Sequence, residues 1–196
     1  MAYSKYTYLR LKTDLGIRIH YQTLFSHIEA HPPSEWLLQT LEIGRKTAFF
    51  SEKSRSETMV FPILAEIQQS SLESIVIYSG AELNIDETKD LNGECDYVLG
   101  KGEQLLALDA PLMCVIEAKD NDIEKAIPQC IAQMEAARQF NLLNQSLIYP
   151  IFGCATIGSE WLFIRLEYPN VYIDINRFHI ANLRDLLGVL AQIMRT

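Results

Sequence analysis

Residues 111–120, PLMCVIEAKD, join an unbroken apolar run to a charged end. An apolar run of this length, rich in β-branched residues, predicts that residues 112–116 form a strand buried on both faces. Glu117 and Lys119 follow two positions apart, so on a strand both side chains project from one face. Because burying such charges without partners is costly, we expect this strand to end at a cleft.

The segments around this strand predict an α/β domain. Strand-like segments rich in β-branched or aromatic residues precede and follow it, at 74–86, 93–102, 145–167 (two strands around a Gly158-Ser159 turn) and 170–180. Amphipathic or apolar periodicity predicts helices at 20–30, 35–50, 56–69, 122–140 and 182–195, and one or two short strands are expected within 3–19. Pro62 should kink its helix or mark its start.

The helix at 122–140 lies between two strands, which implies a crossover connection and therefore a mixed sheet. We expect a central mixed β-sheet flanked by helices. Residues 54–196 are expected to form the core, and residues 1–53 an N-terminal extension packed on it within one structural domain.

The composition and charge of the chain indicate its cellular location and the kinds of partner it can bind. The chain has 196 residues and a net charge of −8, and the start of the sequence has no apolar segment typical of a secretory signal. No apolar window approaches the roughly 18 residues of a membrane span, so we expect a cytoplasmic protein. The four cysteines form no CxxC pair, which argues against a zinc site. The acidic charge argues against strong non-specific binding to nucleic acid, although residues 45–55 are locally basic.

Asp96 lies on the strand that precedes the 112–116 strand. If the two strands run antiparallel, Asp96 and Glu117 approach each other. Two carboxylates and an amine at one point are what a hydrolytic Mg²⁺ site requires, with the lysine orienting or deprotonating the attacking water. Carboxylate oxygens more than about 6 Å apart would exclude a shared ion. The pattern alone is weak, since Glu87-Thr88-Lys89 repeats it in a polar loop.

Five segments with distinctive residues follow one another along the chain. They are SRSETMVFPIL (54–64), GECDYVLG (93–100), VIEAK (115–119), AIPQCIAQM (126–134) and FGCATIGSEWLFIRLE (152–167). This order resembles the PD-(D/E)xK nuclease superfamily, which has the restriction-endonuclease-like fold and includes the N-terminal nuclease domains of type I restriction subunits. The family's proline is replaced by Cys95.

The resemblance implies a metal-dependent endonuclease that cleaves DNA. Asp96 and Glu117 would hold Mg²⁺, or Mn²⁺ in its place, with the backbone carbonyl of Ala118 as a further ligand. Lys119 would position the nucleophilic water.

The resemblance also implies a glutamate on the upstream helix, and here two residues compete. Glu57 and Glu66 are nine residues apart, which places them on opposite faces of a straight helix, so at most one faces the site. The family pattern favours Glu57 as a metal-shell residue, and Glu66 is then expected to be solvated.

A glutamine on the following helix is implied in the same way. Gln129 and Gln133 lie on one face of that helix. We expect Gln129 to support Lys119 or to contact DNA. The alternative is that both glutamines are simply exposed.

Two other interpretations remain open on the sequence. The chain is alternatively a catalytically silent nuclease-fold module for DNA binding or complex scaffolding, or an α/β protein with an unrelated cleft. For the nuclease, the DNA-binding face is expected to be small or to be supplied by a homodimer. Trp161 and Phe163 are expected to be core residues rather than a platform for nucleobases.

Overall fold

The computed structural model describes residues 2–46, 51–103, 107–118, 122–146 and 149–195. Within these residues the α-helices are Tyr8–Leu15 (α1), Glu35–Gly44 (α2), Glu52–Arg55 (α3), Phe61–Ser70 (α4), Ile123–Leu143 (α5) and Leu183–Met194 (α6). The strands are Arg18–Gln22 (β1), Ile75–Glu82 (β2), Glu94–Lys101 (β3), Leu112–Ala118 (β4), Ile151–Thr156 (β5), Glu160–Glu167 (β6), Asn170–Asp174 (β7) and Phe178–His179 (β8). A π-helical turn, Ser56–Val60, joins α3 to α4. None of the described helices is long and apolar enough to cross a bilayer.

The strands form one mixed sheet in the order β1-β7-β6-β5-β4-β3-β2, with β8 added alongside β6. The β4–β5 and β1–β7 pairs are parallel, whereas the other pairs are antiparallel. Helix α5 makes the crossover between β4 and β5, as parallel neighbours require. The predicted α/β class and mixed sheet are therefore confirmed.

Helices cover both faces of this sheet. Side chains of α1 and α5 pack in one apolar cluster with the sheet, and side chains of α2, α4 and α6 pack in a second. All seven residues of β4 are buried, which confirms the prediction of a strand covered on both faces. Its charged end is therefore carried by one of the two strands that are buried throughout, the other being its neighbour β5.

The N-terminal segment differs from the expectation. Residues predicted as strand form α1, which Thr7 caps by accepting a hydrogen bond from the Arg10 amide and which ends at Gly16 in a left-handed conformation. Part of the stretch predicted as a helix at 20–30 belongs instead to β1. Strand β1 pairs with β7, about 150 residues later in the chain. A partner so distant leaves no local signal in the sequence.

Pro62 lies at the start of α4, inside a helical run that is continuous from Glu52 to Ser70. It lies in the first turn of α4, directly after the π-helical turn in which the Phe61 amide donates to the Ser56 carbonyl. Proline has no amide hydrogen and its ring crowds the carbonyl four residues earlier, so a widened turn accommodates it better than a regular one.

The expectation that Glu66 is solvated is wrong. Glu66 is 4% exposed, and its carboxylate accepts hydrogen bonds from the amide and the hydroxyl of Ser34, both at 2.6 Å. Ser34 in turn caps α2 by accepting from the Leu37 amide. Glu66 therefore ties α4 to the start of α2, a contact between helices that periodicity cannot reveal.

Candidate metal centre

The centre lies where β3 begins and β4 ends. The two strands are antiparallel, with Tyr97 opposite Ile116, so Asp96 and Glu117 occupy neighbouring positions on adjacent strands. The predicted antiparallel approach of Asp96 and Glu117 is confirmed. Strand β5, parallel to β4, ends beside them at Thr156.

Three carboxylates meet at this point. Glu52, Asp96 and Glu117 each contribute one oxygen to a cluster in which all three oxygens lie within 4.8 Å of one another. Oxygens on opposite sides of a bound Mg²⁺ are separated by about 4.2 Å, twice the metal–oxygen distance of about 2.1 Å. Carboxylates are hard oxygen donors that suit Mg²⁺ or Mn²⁺. The three residues could therefore hold such an ion after small side-chain rotations.

Glu52 was not among the residues expected at the site. It is the first residue of α3, which begins with a reciprocal capping box between Ser51 and Ser54. The sequence signal for it was this pair of serines, which places the helix start upstream of Ser56. Its position at a helix N-terminus lowers the cost of a negative charge there.

Glu57, the expected ligand, lies outside the group of three. Its side chain is 62% exposed and pairs with Lys53, with 3.8 Å between Oε1 and Nζ. It nevertheless lines the same cavity as Glu52 and Asp96. Helix α3, the π-helical turn and α4 form one continuous helical run over residues 52–70. This helical run presents two glutamates to the site, one in the carboxylate cluster and one at the cavity wall.

The backbone and α5 hold the two strand carboxylates in place. The Ala118 amide donates to Asp96 Oδ2 at 2.7 Å, and Gln133 Nε2 donates to Glu117 Oε2 at 2.9 Å. Glu117 is only 1% exposed, and Gln133 is fully buried. Within the described part of the chain, Gln133 Oε1 has no hydrogen-bond partner.

The expectation for the glutamines is therefore modified. Gln129 and Gln133 are both buried, so the alternative of two exposed glutamines is wrong. Gln133, rather than Gln129, is the residue whose contact with Glu117 is observed. Whether Gln129 supports Lys119 stays a prediction, because Lys119 lies outside the described residues.

The negative charge of the carboxylates helps to raise the pKa of two neighbouring side chains, Cys95 and Tyr97. Burial raises the pKa of the Cys95 thiol, and the charges of Glu117, Asp96 and Glu94 raise it further. Burial also raises the pKa of Tyr97, its hydrogen bond with Ser56 opposes this, and Asp96 and Glu57 add to the increase. A bound cation would offset the repulsion that this concentration of carboxylates creates.

A cavity of about 400 Å³ opens beside the carboxylates. Its wall includes Asp96, Ala118 and the residues Glu52, Lys53 and Glu57 of the helical run. Such a cavity gives a solvent-accessible approach to the Asp96 side of the cluster, whereas Glu117 is reached from the buried side by α5. The cavity therefore gives solvent and ions access to the carboxylates at one end of the sheet.

Comparisons with known proteins identify no relative. No family model matches the chain, and neither a curated protein nor a solved structure is significantly similar to it. The family suggested by the sequence motifs therefore stays a hypothesis.

Proposed function

We propose that this protein is a metal-dependent nuclease that hydrolyses phosphodiester bonds of DNA with a PD-(D/E)xK-type site. The observation that carries the proposal is the meeting of Glu52, Asp96 and Glu117 within 4.8 Å at the end of a buried strand. Asp96 and Glu117 belong to two of the motifs that resemble the nuclease family, and Glu52 was found independently of them. The protein would act in the cytoplasm.

The three carboxylates would hold Mg²⁺ or Mn²⁺. In an extended strand the amide and the carbonyl of one residue point towards the same neighbouring strand. Since the Ala118 amide donates to Asp96, the Ala118 carbonyl is directed to the same side and suits the role of a further ligand. When bound, the ion would lower the pKa of a coordinated water and neutralise charge on the phosphate.

The remaining residues would orient the reacting groups. Gln133 fixes the Glu117 carboxylate through its amide hydrogen bond. Lys119, the residue after Ala118, would orient the attacking water and balance the negative charge that develops on the phosphate. Lys53, which is 82% exposed at the cavity wall, would attract the DNA backbone.

The acidic character of the protein agrees with this proposal if the charge is concentrated at the centre. Of the net charge of −8, part comes from carboxylates that a bound cation would neutralise. The DNA-contacting face would then be small, or a second copy of the chain would extend it.

Cleavage of DNA with a matched pair of variants tests the proposal. Purified protein is incubated with single-stranded and duplex DNA in Mg²⁺, in Mn²⁺ and in EDTA. Glu52→Gln should lower the metal-dependent rate by about 100-fold or more, because loss of one ligand removes several kcal/mol of charge stabilisation. Glu57→Gln, five residues along the same helical run, should lower it by less than about fivefold, since Glu57 lies outside the cluster.

Two controls separate this activity from its alternatives. Lys119→Ala should abolish cleavage, and an unchanged rate in that variant would identify a contaminating nuclease. DNA binding by the wild-type chain without cleavage in either metal would reject the nuclease and favour the silent DNA-binding module.

A further inference from the structure

One large aromatic side chain faces solvent beside the carboxylate centre. Phe61 is 44% exposed. Its ring is stacked on that of Tyr97, with 6.4 Å between centroids and 27° between planes. Tyr97 directly follows Asp96 in β3 and lines the same cavity.

Tyr97, the inner ring of this stack, is held in place by burial and by a hydrogen bond. Tyr97 is 3% exposed, and its hydroxyl shares a 2.6 Å hydrogen bond with the hydroxyl of Ser56. Phe61 therefore rests on a buried ring that is itself anchored to the helical run. A single exposed aromatic residue needs no explanation in general, but this one is fixed against a residue that lines the cavity.

Phe61 is connected to the cavity through Tyr97, which its ring contacts and which lines the cavity wall. Glu57, about one turn earlier, lines that cavity. Lys53 and Arg55 provide cations on the same run. By contrast, Trp161 and Phe163 are fully buried core residues, as expected.

We propose that Phe61 stacks on a nucleobase adjacent to the phosphate that is cleaved, and that the substrate is therefore single-stranded DNA. An aromatic ring that is anchored by a neighbouring ring and keeps part of its surface open is suited to a flat partner, and bases stack on such rings irrespective of sequence. The bases of a duplex are already covered by their neighbours, whereas those of a single strand are free. The position of the cleaved phosphate rests on the proposed function.

The rate comparison uses one oligonucleotide, supplied either alone or annealed to its complement. Wild-type protein should cleave the single strand with the higher kcat/KM. Phe61→Ala should lower kcat/KM for the single strand by about tenfold, and Phe61→Trp should retain it. Equal kcat/KM for single strand and duplex in the wild type, or an unchanged rate in Phe61→Ala, would overturn the proposal.

Leu143→Ala is the matched control. Leu143 is 72% exposed and ends α5, the helix whose first turn follows the β4 end. Leu143 follows Gln133, the α5 residue that contacts Glu117, by about 15 Å along the helix at 1.5 Å per residue, so it lies away from the centre. Its replacement should leave the single-strand rate unchanged.

A single abasic site moved along the oligonucleotide locates the stacked base. At one position the lesion should slow the wild type by about tenfold but have no added effect in Phe61→Ala, because both changes remove the same contact. Additive effects at every position would contradict the stacking.

A binding measurement distinguishes failure of this inference from failure of the nuclease. In EDTA, the fluorescence of Phe61→Trp, corrected for the wild-type signal, should be quenched by the single strand and much less by the duplex. Quenching without cleavage in any metal would support the stacking and reject the nuclease. Cleavage without selective quenching would support the nuclease and reject the stacking.

Discussion

Gln133 connects α5 to the carboxylate cluster. Its amide donates to Glu117, while its carbonyl oxygen is buried without a partner in the part of the chain that the structure describes. An unsatisfied buried oxygen costs free energy of folding, about 1–3 kcal/mol. A residue kept at such a cost suits a role in orienting a metal ligand, because a hydrogen bond to the ligating carboxylate fixes the direction of its oxygen atoms.

We expect Gln133→Leu to weaken Mg²⁺ or Mn²⁺ binding by about 10- to 100-fold, because Glu117 loses the donor that orients it. Isothermal titration of the metal into each variant measures this. Gln129→Leu, equally buried one turn earlier on α5, should change the affinity by less than about threefold. Equal losses in both variants would contradict the assignment of the supporting role to Gln133.

The sequence predicted the two strand carboxylates but only part of the helix contribution. The strand order predicted that Asp96 and Glu117 approach each other, whereas their role as metal ligands rested on the resemblance to the nuclease family, because the Glu-x-Lys pattern also occurs at residues 87–89. The sequence pattern predicts a helix that begins at Ser56, so it does not place Glu52 on this helix or near the other carboxylates. The π-helical turn then breaks the 100° periodicity by which faces of a helix are compared.

At the scale of elements, α2 supports the helical run that carries Glu52. A Cβ atom built on Gly44, in α2, would lie 2.9 Å from the backbone oxygen of Thr58 in the π-helical turn. The two helices therefore approach each other more closely than a larger residue allows. The absence of a side chain at Gly44 helps to set the position of the run over the end of the sheet.

We expect Gly44→Ala to destabilise the protein by about 1–3 kcal/mol, because the added methyl group overpacks this contact. Helix propensity alone predicts the opposite sign, a gain of up to about 1 kcal/mol. Urea unfolding followed by circular dichroism decides between them. Leu38→Ala, at an exposed position of α2, should stay within about 0.5 kcal/mol of the wild type.

Helices and strands with a local apolar pattern were predicted correctly, whereas those defined by contacts with distant parts of the sequence were not. Strands β3 to β6 and helices α5 and α6 were predictable because their apolar patterns repeat over many residues. The Glu87-Thr88-Lys89 triplet forms a short 3₁₀ turn rather than a strand end, in agreement with its polar surroundings. The N-terminal elements failed because β1 is defined by its pairing with β7.

At the scale of the whole molecule, one sheet combines strands from distant parts of the sequence. The N-terminal residues supply an edge strand of the same sheet that carries the centre, in addition to packing on it. The four cysteines are distributed through the middle of this sheet and α5, and all are buried and reduced. They therefore report on the packing of α5 against the neighbouring strands β3, β4 and β5.

We expect all four thiols of the native protein to resist modification by Ellman's reagent at pH 8. Burial raises the pKa of Cys114 to about 12, and it also raises the pKa of Cys95, Cys130 and Cys154. Since the thiolate is the reactive form, reaction at this pH requires opening of the structure. In about 6 M guanidinium chloride, which unfolds such domains, all four should react. A thiol that reacts rapidly in the native protein, identified by mass spectrometry, would show that the strand or helix carrying it is not packed as described.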